Sequence, residues 1–138
     1  GVPYYYVARA RDQAGNVDTN TVEMSAVPMP PPVIPPGIDY ATQIQPLFDT
    51  KCALCHGGAS GLYLTSHAAL LMGGLHGPVV VPCQPDMSNL VLKLGPTPPF
   101  GQRMPRTGPP VLSMTEIETI RRWSADGAEA VYNPATCP

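Results

Sequence analysis

The chain has 138 residues, a formal net charge of −2 and only 13% charged residues. This charge balance excludes a protein that binds nucleic acid or another polyanion through a basic surface. The 19 prolines and 13 glycines are about twice what average usage gives. Long irregular connections are therefore expected around a limited amount of regular structure.

The apolar segments and the first residues of the chain give expectations about its localisation. No apolar run reaches the roughly 20 residues that a membrane-spanning helix needs. The chain begins at Gly1, without Met and without a charged-then-apolar secretion signal. We therefore expect a mature or excised piece whose targeting segment has already been removed.

Residues 1–27 predict a β-hairpin. Residues 4–10 favour a strand through their aromatic side chains and alternating small or apolar positions. Residues 12–16 are typical of a turn, and residues 19–27 favour a second strand. The pattern resembles the last two strands of a fibronectin type III domain, which implies the tyrosine-corner position for Tyr4. Because an isolated hairpin is only marginally stable, it must pack on the rest of this chain, an upstream portion or a neighbouring chain.

Residues 28–36 contain six prolines in nine positions. Such a run favours a semi-rigid polyproline II spacer, an interpretation preferred to an SH3-type ligand. The expected organisation is a hairpin over 1–27, a linker over 28–37 and a second domain over 38–138.

The second domain is predicted to be mainly α-helical with Gly/Pro-rich loops. Each helix is indicated by an N-cap residue, an apolar face or a closing glycine. The expected helices run from Asp39 to about Lys51, from Ser66 to Met72, from Asp86 or Ser88 to Leu94, and from Ser113 to near Gly127, the last with a capping box to Glu116.

Cys52-Ala53-Leu54-Cys55-His56 has the C-x-x-C-H spacing of c-type haem attachment. Two cysteines at this spacing reach the two vinyl-derived carbons on one haem edge, and the adjacent histidine binds the iron. Gly57 and Gly58 then let the backbone leave the porphyrin without a clash. We therefore expect one covalent haem c on Cys52, Cys55 and His56.

Two closely spaced cysteines also occur in two other kinds of site. A thioredoxin-like redox pair would require a βαβ pattern around it, and none is visible. A zinc knuckle would require a second pair of ligands nearby, and none follows.

The sixth iron ligand is expected to be a methionine or a histidine, and methionine raises the reduction potential relative to histidine. Met104 is favoured because prolines stiffen its loop, and His76, in a Gly-rich loop, is the rival. Met72 and Met114 are predicted to fill gaps in the core, and His67 is predicted to be exposed. The full candidate set is Met72, Met87, Met104, Met114, His67 and His76.

Three further side chains are candidates for contact with the haem. Arg103 and Arg106 flank Met104 and could pair with haem propionates through charge-assisted hydrogen bonds. Solvated loop arginines are the alternative. Trp123 would pack on the haem or on the first helix, and a plain core role is the preferred interpretation.

With these residues laid out, residues 40–128 resemble the planctomycete-type cytochrome c domains, a branch of the class I cytochrome c fold. The resemblance implies that Met104 is the distal ligand and that the last helix crosses the first near the haem. It rests, in order, on Ile44-Gln45-Pro46, residues 52–57, Gly61-Leu62, Gly73-Gly74, Gly77-Pro78-Val79-Val80, Ser88-Asn89-Leu90, Arg103-Met104-Pro105, Gly108-Pro109-Pro110, Glu116-Ile117, Ile120-Arg121-Arg122-Trp123 and Gly127-Ala128.

One departure from that family concerns cysteine. The family usually has Pro-Gly where this chain has Pro82-Cys83, and a further cysteine, Cys137, lies just beyond the last helix. We predict a Cys83–Cys137 disulfide worth about 2–4 kcal/mol. Free buried thiols are the alternative.

The expected function is electron transfer without enzymatic activity, outside the cytoplasm: in the periplasm, at the cell surface or in the secreted fraction. The expected partners are redox proteins or other cytochromes. One alternative is a structural subunit of an extracellular cytochrome polymer, joined through the N-terminal hairpin. Another is a haem sensor or enzyme with an open iron site, which requires that Met104 does not bind.

Overall fold

The computed structural model describes residues 4–12, 14–26, 32–33, 36–106 and 112–137. These residues fall into two compact units that divide between residues 31 and 32. Their regular structure is mostly helical, with little strand. Most of the predicted proline spacer, Val27 at the end of the second predicted strand, and Gly108-Pro109-Pro110 lie outside the described residues. No described helix combines the length and apolar character needed to cross a membrane.

In the N-terminal unit, two short strands pair antiparallel. Strand β1 (Tyr4–Tyr6) lies beside β2 (Met24–Ala26). Both strands are shorter than the sequence predicts. Asp18 Oδ2 accepts a hydrogen bond from Ala10 N at 2.8 Å, and Asn20 Nδ2 donates to the Ala8 carbonyl at 2.8 Å. These side chains occupy backbone groups that strand pairing would otherwise use.

The second unit begins with a helical segment in two parts. The Asp39 side chain accepts from the Thr42 N–H and caps a π-helical turn, Tyr40–Ile44, which continues into α1 (Gln45–Lys51). Ile44 and Phe48 are fully buried. This segment therefore supplies one side of the core.

Two short helices follow. Helix α2 (His67–Leu71) begins after Ser66, whose hydroxyl accepts from Ala69 N. A 3₁₀ turn, Pro85–Met87, leads into α3 (Asn89–Leu92), and the side chain of Ser88 makes no cap bond to α3. Instead the buried Ser88 hydroxyl bonds to the backbone of Val81 and lies 3.0 Å from Ser124 Oγ. Ser88 therefore links the start of α3 to the helix that contains Ser124.

The longest helix is α4 (Met114–Ala125), and it begins with the predicted capping box between Ser113 and Glu116. Trp123 of α4 lies on Tyr40, with ring centroids 5.3 Å apart. Helix α4 thus packs on the π-helical turn and closes the core. The core side chains are Ile38, Tyr40, Ile44, Phe48, Leu64, Leu70, Val80, Leu94, Leu112, Ile120, Trp123 and Ala128.

A disulfide joins Cys83 to Cys137, with Cα atoms 5.5 Å apart. Cys83 N also donates to the Ser124 carbonyl at 3.0 Å. The C-terminal segment beyond α4 is thereby fixed to the loop that precedes α3.

Candidate functional site

The chain turns sharply where α1 ends. Cys52 N donates to the Phe48 carbonyl at 2.8 Å, and the Cys52 carbonyl accepts from Cys55 N at 3.1 Å and from His56 N at 2.8 Å. The His56 carbonyl accepts from Leu64 N at 2.9 Å. This tight turn holds Cys52, Cys55 and His56 in a fixed relation to one another and to the segment that contains the buried Leu64.

Cys52 and His56 line a cavity of about 420 Å³, and Met104 lines the same cavity. Its size lies within the roughly 300–1,000 Å³ range of pockets that bury small organic ligands. Most of the other side chains that form its walls are aliphatic or aromatic. They include Leu62, Leu64, Val79, Leu90, Leu94 and Phe100.

The two motif cysteines differ in environment. Cys52 is half-buried and Cys55 is exposed, and neither forms a disulfide. Burial raises the pKa of the Cys52 thiol to about 11, and the neighbouring Cys55 acts in the same direction. Of these two free thiols, Cys52 is the one that lines the cavity.

His56 has the properties of a metal ligand. Burial lowers the pKa of His56, and the positive charge of Lys93 acts in the same direction. Both effects favour the neutral imidazole, the form that donates a lone pair to a metal. Its Nδ1 is buried and has no hydrogen-bond partner within the described part of the chain. The Cys52 thiol, the His56 imidazole and the Met104 thioether line this mostly apolar cavity, whereas Cys55 lies outside its lining. This set of side chains fits a haem attached through the motif.

Hydrogen bonds to and from the residues at the end of α3 hold the loop that carries Met104. Met104 N donates to the Lys93 carbonyl at 2.7 Å, and Arg103 Nε donates to the Leu94 carbonyl at 2.8 Å. The Lys93 ammonium donates to the carbonyls of Phe100 and Gln102. The loop is therefore fixed at several points close to Met104.

Of the candidate sixth ligands, Met104 and His76 line the cavity. The His76 ring stacks on Phe100 with a centroid distance of 4.0 Å. Met72, Met87 and Met114 lie outside the cavity lining and are 79%, 66% and 67% exposed. The prediction that Met72 and Met114 fill core gaps is wrong, because both lie on the outer faces of their helix ends.

The prediction for His67 is also wrong. His67 is half-buried, and its ring packs on Tyr40 with centroids 4.8 Å apart. Its Nε2 lies 2.7 Å from the Ala128 carbonyl. His67 therefore belongs to the packing between α2 and the segment after α4, outside the cavity lining.

The three other side chains predicted to contact the haem lie in different surroundings. Arg106 lines the cavity, and its Nε donates to Gln102 Oε1 at 3.1 Å. Arg103 lies outside the cavity lining and is held by the Leu94 carbonyl. Trp123 is 1% exposed, lies in the core away from the cavity lining, and donates from Nε1 to the Glu129 carbonyl at 2.8 Å.

Sequence reasoning missed Lys93 and Phe100, which both line the cavity. Their contact is direct, with Lys93 Nζ 4.6 Å from the centroid of the Phe100 ring. One signal was available: Lys93 is the single charged residue in the apolar run Leu90-Val91-Leu92-Lys93-Leu94. A lone lysine in such a run has its stem among apolar side chains and its ammonium close to them.

Within the described ranges no group of three or more His, Cys, Asp or Glu side chains is arranged to hold a metal ion. The zinc knuckle considered for Cys52 and Cys55 would need such a group. A haem iron takes only one or two protein ligands, so it does not depend on one.

Comparison with known proteins gives one match. Residues 52–105, less than half of the chain, match the model of a family described as Planctomycete cytochrome C. The match supports a planctomycete-type cytochrome c domain and confirms that resemblance. No curated protein and no solved structure matches the chain. The likeness of the N-terminal residues to a fibronectin type III domain stays a prediction.

Proposed function

We propose that this chain transfers single electrons outside the cytoplasm through one c-type haem, attached at Cys52 and Cys55 and ligated by His56 and Met104. The observation that carries the proposal is the lining of one apolar cavity by Cys52, His56 and Met104. Met104 lies 48 residues after His56 in the sequence. The match to a cytochrome c family over residues 52–105 supports the same function.

The residues around the cavity suit electron transfer. A bound haem supplies one-electron exchange at its iron. Leu64, Leu94 and Phe100 keep water away from the cavity walls, which lowers the local dielectric and strengthens the effect of nearby charges. A thioether ligand from Met104 stabilises the reduced state relative to a histidine ligand.

If His56 and Met104 both hold the iron, the protein would leave no open position for a substrate. The proposed ligation would therefore make this chain an electron carrier and not a sensor or enzyme with an open iron site. The alternative of a cytochrome polymer joined through the N-terminal hairpin stays a prediction of the sequence.

The proposed location outside the cytoplasm has its own support. The chain contains the Cys83–Cys137 disulfide, and disulfides form and persist in oxidising compartments. Redox proteins or other cytochromes are the proposed partners, because exchange of single electrons requires a donor and an acceptor.

The test is the absorption spectrum of the purified holoprotein in both redox states. We expect a methionine–iron charge-transfer band at the red edge of the oxidised spectrum, and we expect Met104→Ala to abolish it. Met72→Ala is the matched control, since Met72 is 79% exposed and lies outside the cavity lining. A band that survives in Met104→Ala rules out Met104 as the ligand. A wild-type spectrum without the band favours His76 or an open site.

A further inference from the structure

Lys93 connects the end of α3 to the loop that carries Met104 through both its backbone and its side chain. Its backbone carbonyl accepts the Met104 N–H at 2.7 Å. Its ammonium donates to the carbonyls of Phe100 and Gln102, and it lies 4.6 Å from the centroid of the Phe100 ring. One residue therefore holds this loop on both sides of Gly101 and again at Met104 itself.

The chemistry of the lysine side chain suits this role. An ammonium offers three donors and no acceptor, so it can bond two carbonyls at once. Hydrogen bonds to a charged donor are stronger than neutral ones, and partial burial strengthens them further. The aromatic face of Phe100 adds a cation–π contact. The His76 ring stacks on Phe100 at 4.0 Å, so His76 is tied to the same cluster.

The other restraints on this loop include the hydrogen bond from Arg103 Nε to the Leu94 carbonyl and the stiffness of its prolines. Residues 95–106 contain no helix or strand, so regular hydrogen bonding does not fix them. A thioether is also a weak ligand, and a loose loop would let it leave the iron. The position of Met104 therefore depends on the bonds that join its loop to the end of α3.

We propose that Lys93 is the positioning residue for Met104, and that its ammonium also raises the reduction potential of the site. This inference rests on the proposed function, because it takes Met104 as the iron ligand. Lys93 touches neither iron nor substrate in this role; it acts through the carbonyls of Phe100 and Gln102. Its positive charge at the cavity wall disfavours the oxidised site, which carries one positive charge more than the reduced site.

The test compares Lys93→Met, Lys93→Arg and Arg121→Met in the oxidised holoprotein. Arg121→Met is the matched control, because Arg121 pairs with Asp86 and lies outside the cavity lining. For Lys93→Met we expect the ratio of methionine-bound to methionine-free iron to fall about tenfold, the effect of losing one or two ordinary hydrogen bonds. Lys93→Arg should retain most of the band, since its guanidinium also donates to carbonyls.

A second measurement separates positioning from general stability. Denaturant titrations follow the charge-transfer band, which reports the Met104 bond, and the fluorescence of Trp123, which reports global unfolding. In Lys93→Met the band should disappear at a lower denaturant concentration while the Trp123 transition moves less. The reduction potential should fall in Lys93→Met, and Arg121→Met should change it less.

The outcomes are distinguishable. A wild-type protein without the band overturns Met104 ligation and this proposal with it. A wild-type band with an equally strong and equally stable band in Lys93→Met overturns the role of Lys93 alone. Equal shifts of the band and of the Trp123 transition in Lys93→Met would show a purely structural role and would also overturn it.

Discussion

The turn around Gly73 and Gly77 shapes one edge of the cavity, because the next residues along it, Gly74, Leu75 and His76, line that cavity. Both Gly73 and Gly77 have positive φ, +78° and +80°. A Cβ on Gly73 would lie 2.6 Å from the Gly77 carbonyl oxygen, whereas a Cβ on Gly77 would meet nothing within 4 Å. The two glycines thus share a positive φ and have opposite steric surroundings.

This pair gives a controlled prediction. Gly77→Ala should lower the free energy of unfolding by about 1 kcal/mol, the cost of a left-handed conformation in a residue with Cβ. Gly73→Ala adds a backbone clash and should lower it by about 2–4 kcal/mol. Denaturant unfolding of the two holoproteins checks this. Equal losses would mean that the turn relaxes freely around Gly73.

At the scale of elements, Glu116 connects the start of α4 to the end of α1. Its carboxylate accepts from the Ser113 N–H at 2.7 Å and pairs with Lys51 Nζ at 2.8 Å. The hydrogen bond from Lys51 is the main cause that lowers the pKa of Glu116, followed by that from Ser113. The same carboxylate therefore caps α4 and ties together the two helices of the core.

The lowered pKa predicts a pH dependence of stability. The folded protein binds the Glu116 proton more weakly than the unfolded chain does. The contribution of the Glu116 carboxylate to the free energy of unfolding is therefore complete above its ordinary pKa of 4.5 and is lost as the pH falls through the pKa of the folded state. We expect Glu116→Gln to lower the free energy of unfolding by about 1 kcal/mol at pH 7, since the pair is partly solvated. The difference from wild type should vanish at low pH.

Urea unfolding between pH 7 and pH 3 measures this difference. Glu118→Gln is the matched control, because Glu118 carries the same charge on α4 and makes no ion pair within the described residues. A difference between Glu116→Gln and wild type that stays constant with pH would contradict the assignment to the charged carboxylate.

Local signals explain which elements the sequence could predict. Asp39, Ser66 and Ser113 each cap a helical segment with bonds to residues three positions on, so the pattern is complete within one turn. Where the structure differs from the local prediction, contacts between residues distant in sequence are the reason. Ser88, one of the two caps predicted for the third helix, stands at the N-cap position of α3, but its hydroxyl bonds to Val81 and contacts Ser124, 36 residues away, instead of capping the helix.

The contrast between local signals and tertiary contacts also holds for the residues of the site. Cys52 to His56 form a contiguous motif, and a local turn is enough to arrange them. The cavity walls come from segments distant in sequence, and Phe100 and Lys93 gave no motif of their own. The prediction that Met72 and Met114 lie in the core is wrong because a helix end can present an apolar side chain to solvent as readily as to the core.

At the scale of the whole molecule, the Cys83–Cys137 disulfide closes a separation of 54 residues that contains α3, the Met104 loop and α4. A cross-link stabilises chiefly by restricting the unfolded chain, and its effect grows with the length of the closed segment. The bridge lies outside the lining of the cavity that holds Cys52, His56 and Met104. Its contribution to stability and the chemistry of the site are therefore separable.

The double variant Cys83→Ser/Cys137→Ser should lower the free energy of unfolding by about 2–4 kcal/mol. Its charge-transfer band and reduction potential should match those of the wild type, because no atom of the bridge contacts the cavity. Denaturant titration followed by Trp123 fluorescence measures the first effect, and the oxidised spectrum measures the second. The intact mass of the wild type should fit one haem per chain, with two hydrogens fewer before reduction than after it, and the double variant should show no such difference. Wild-type stability in the double variant would mean that the C-terminal segment packs equally well without its cross-link.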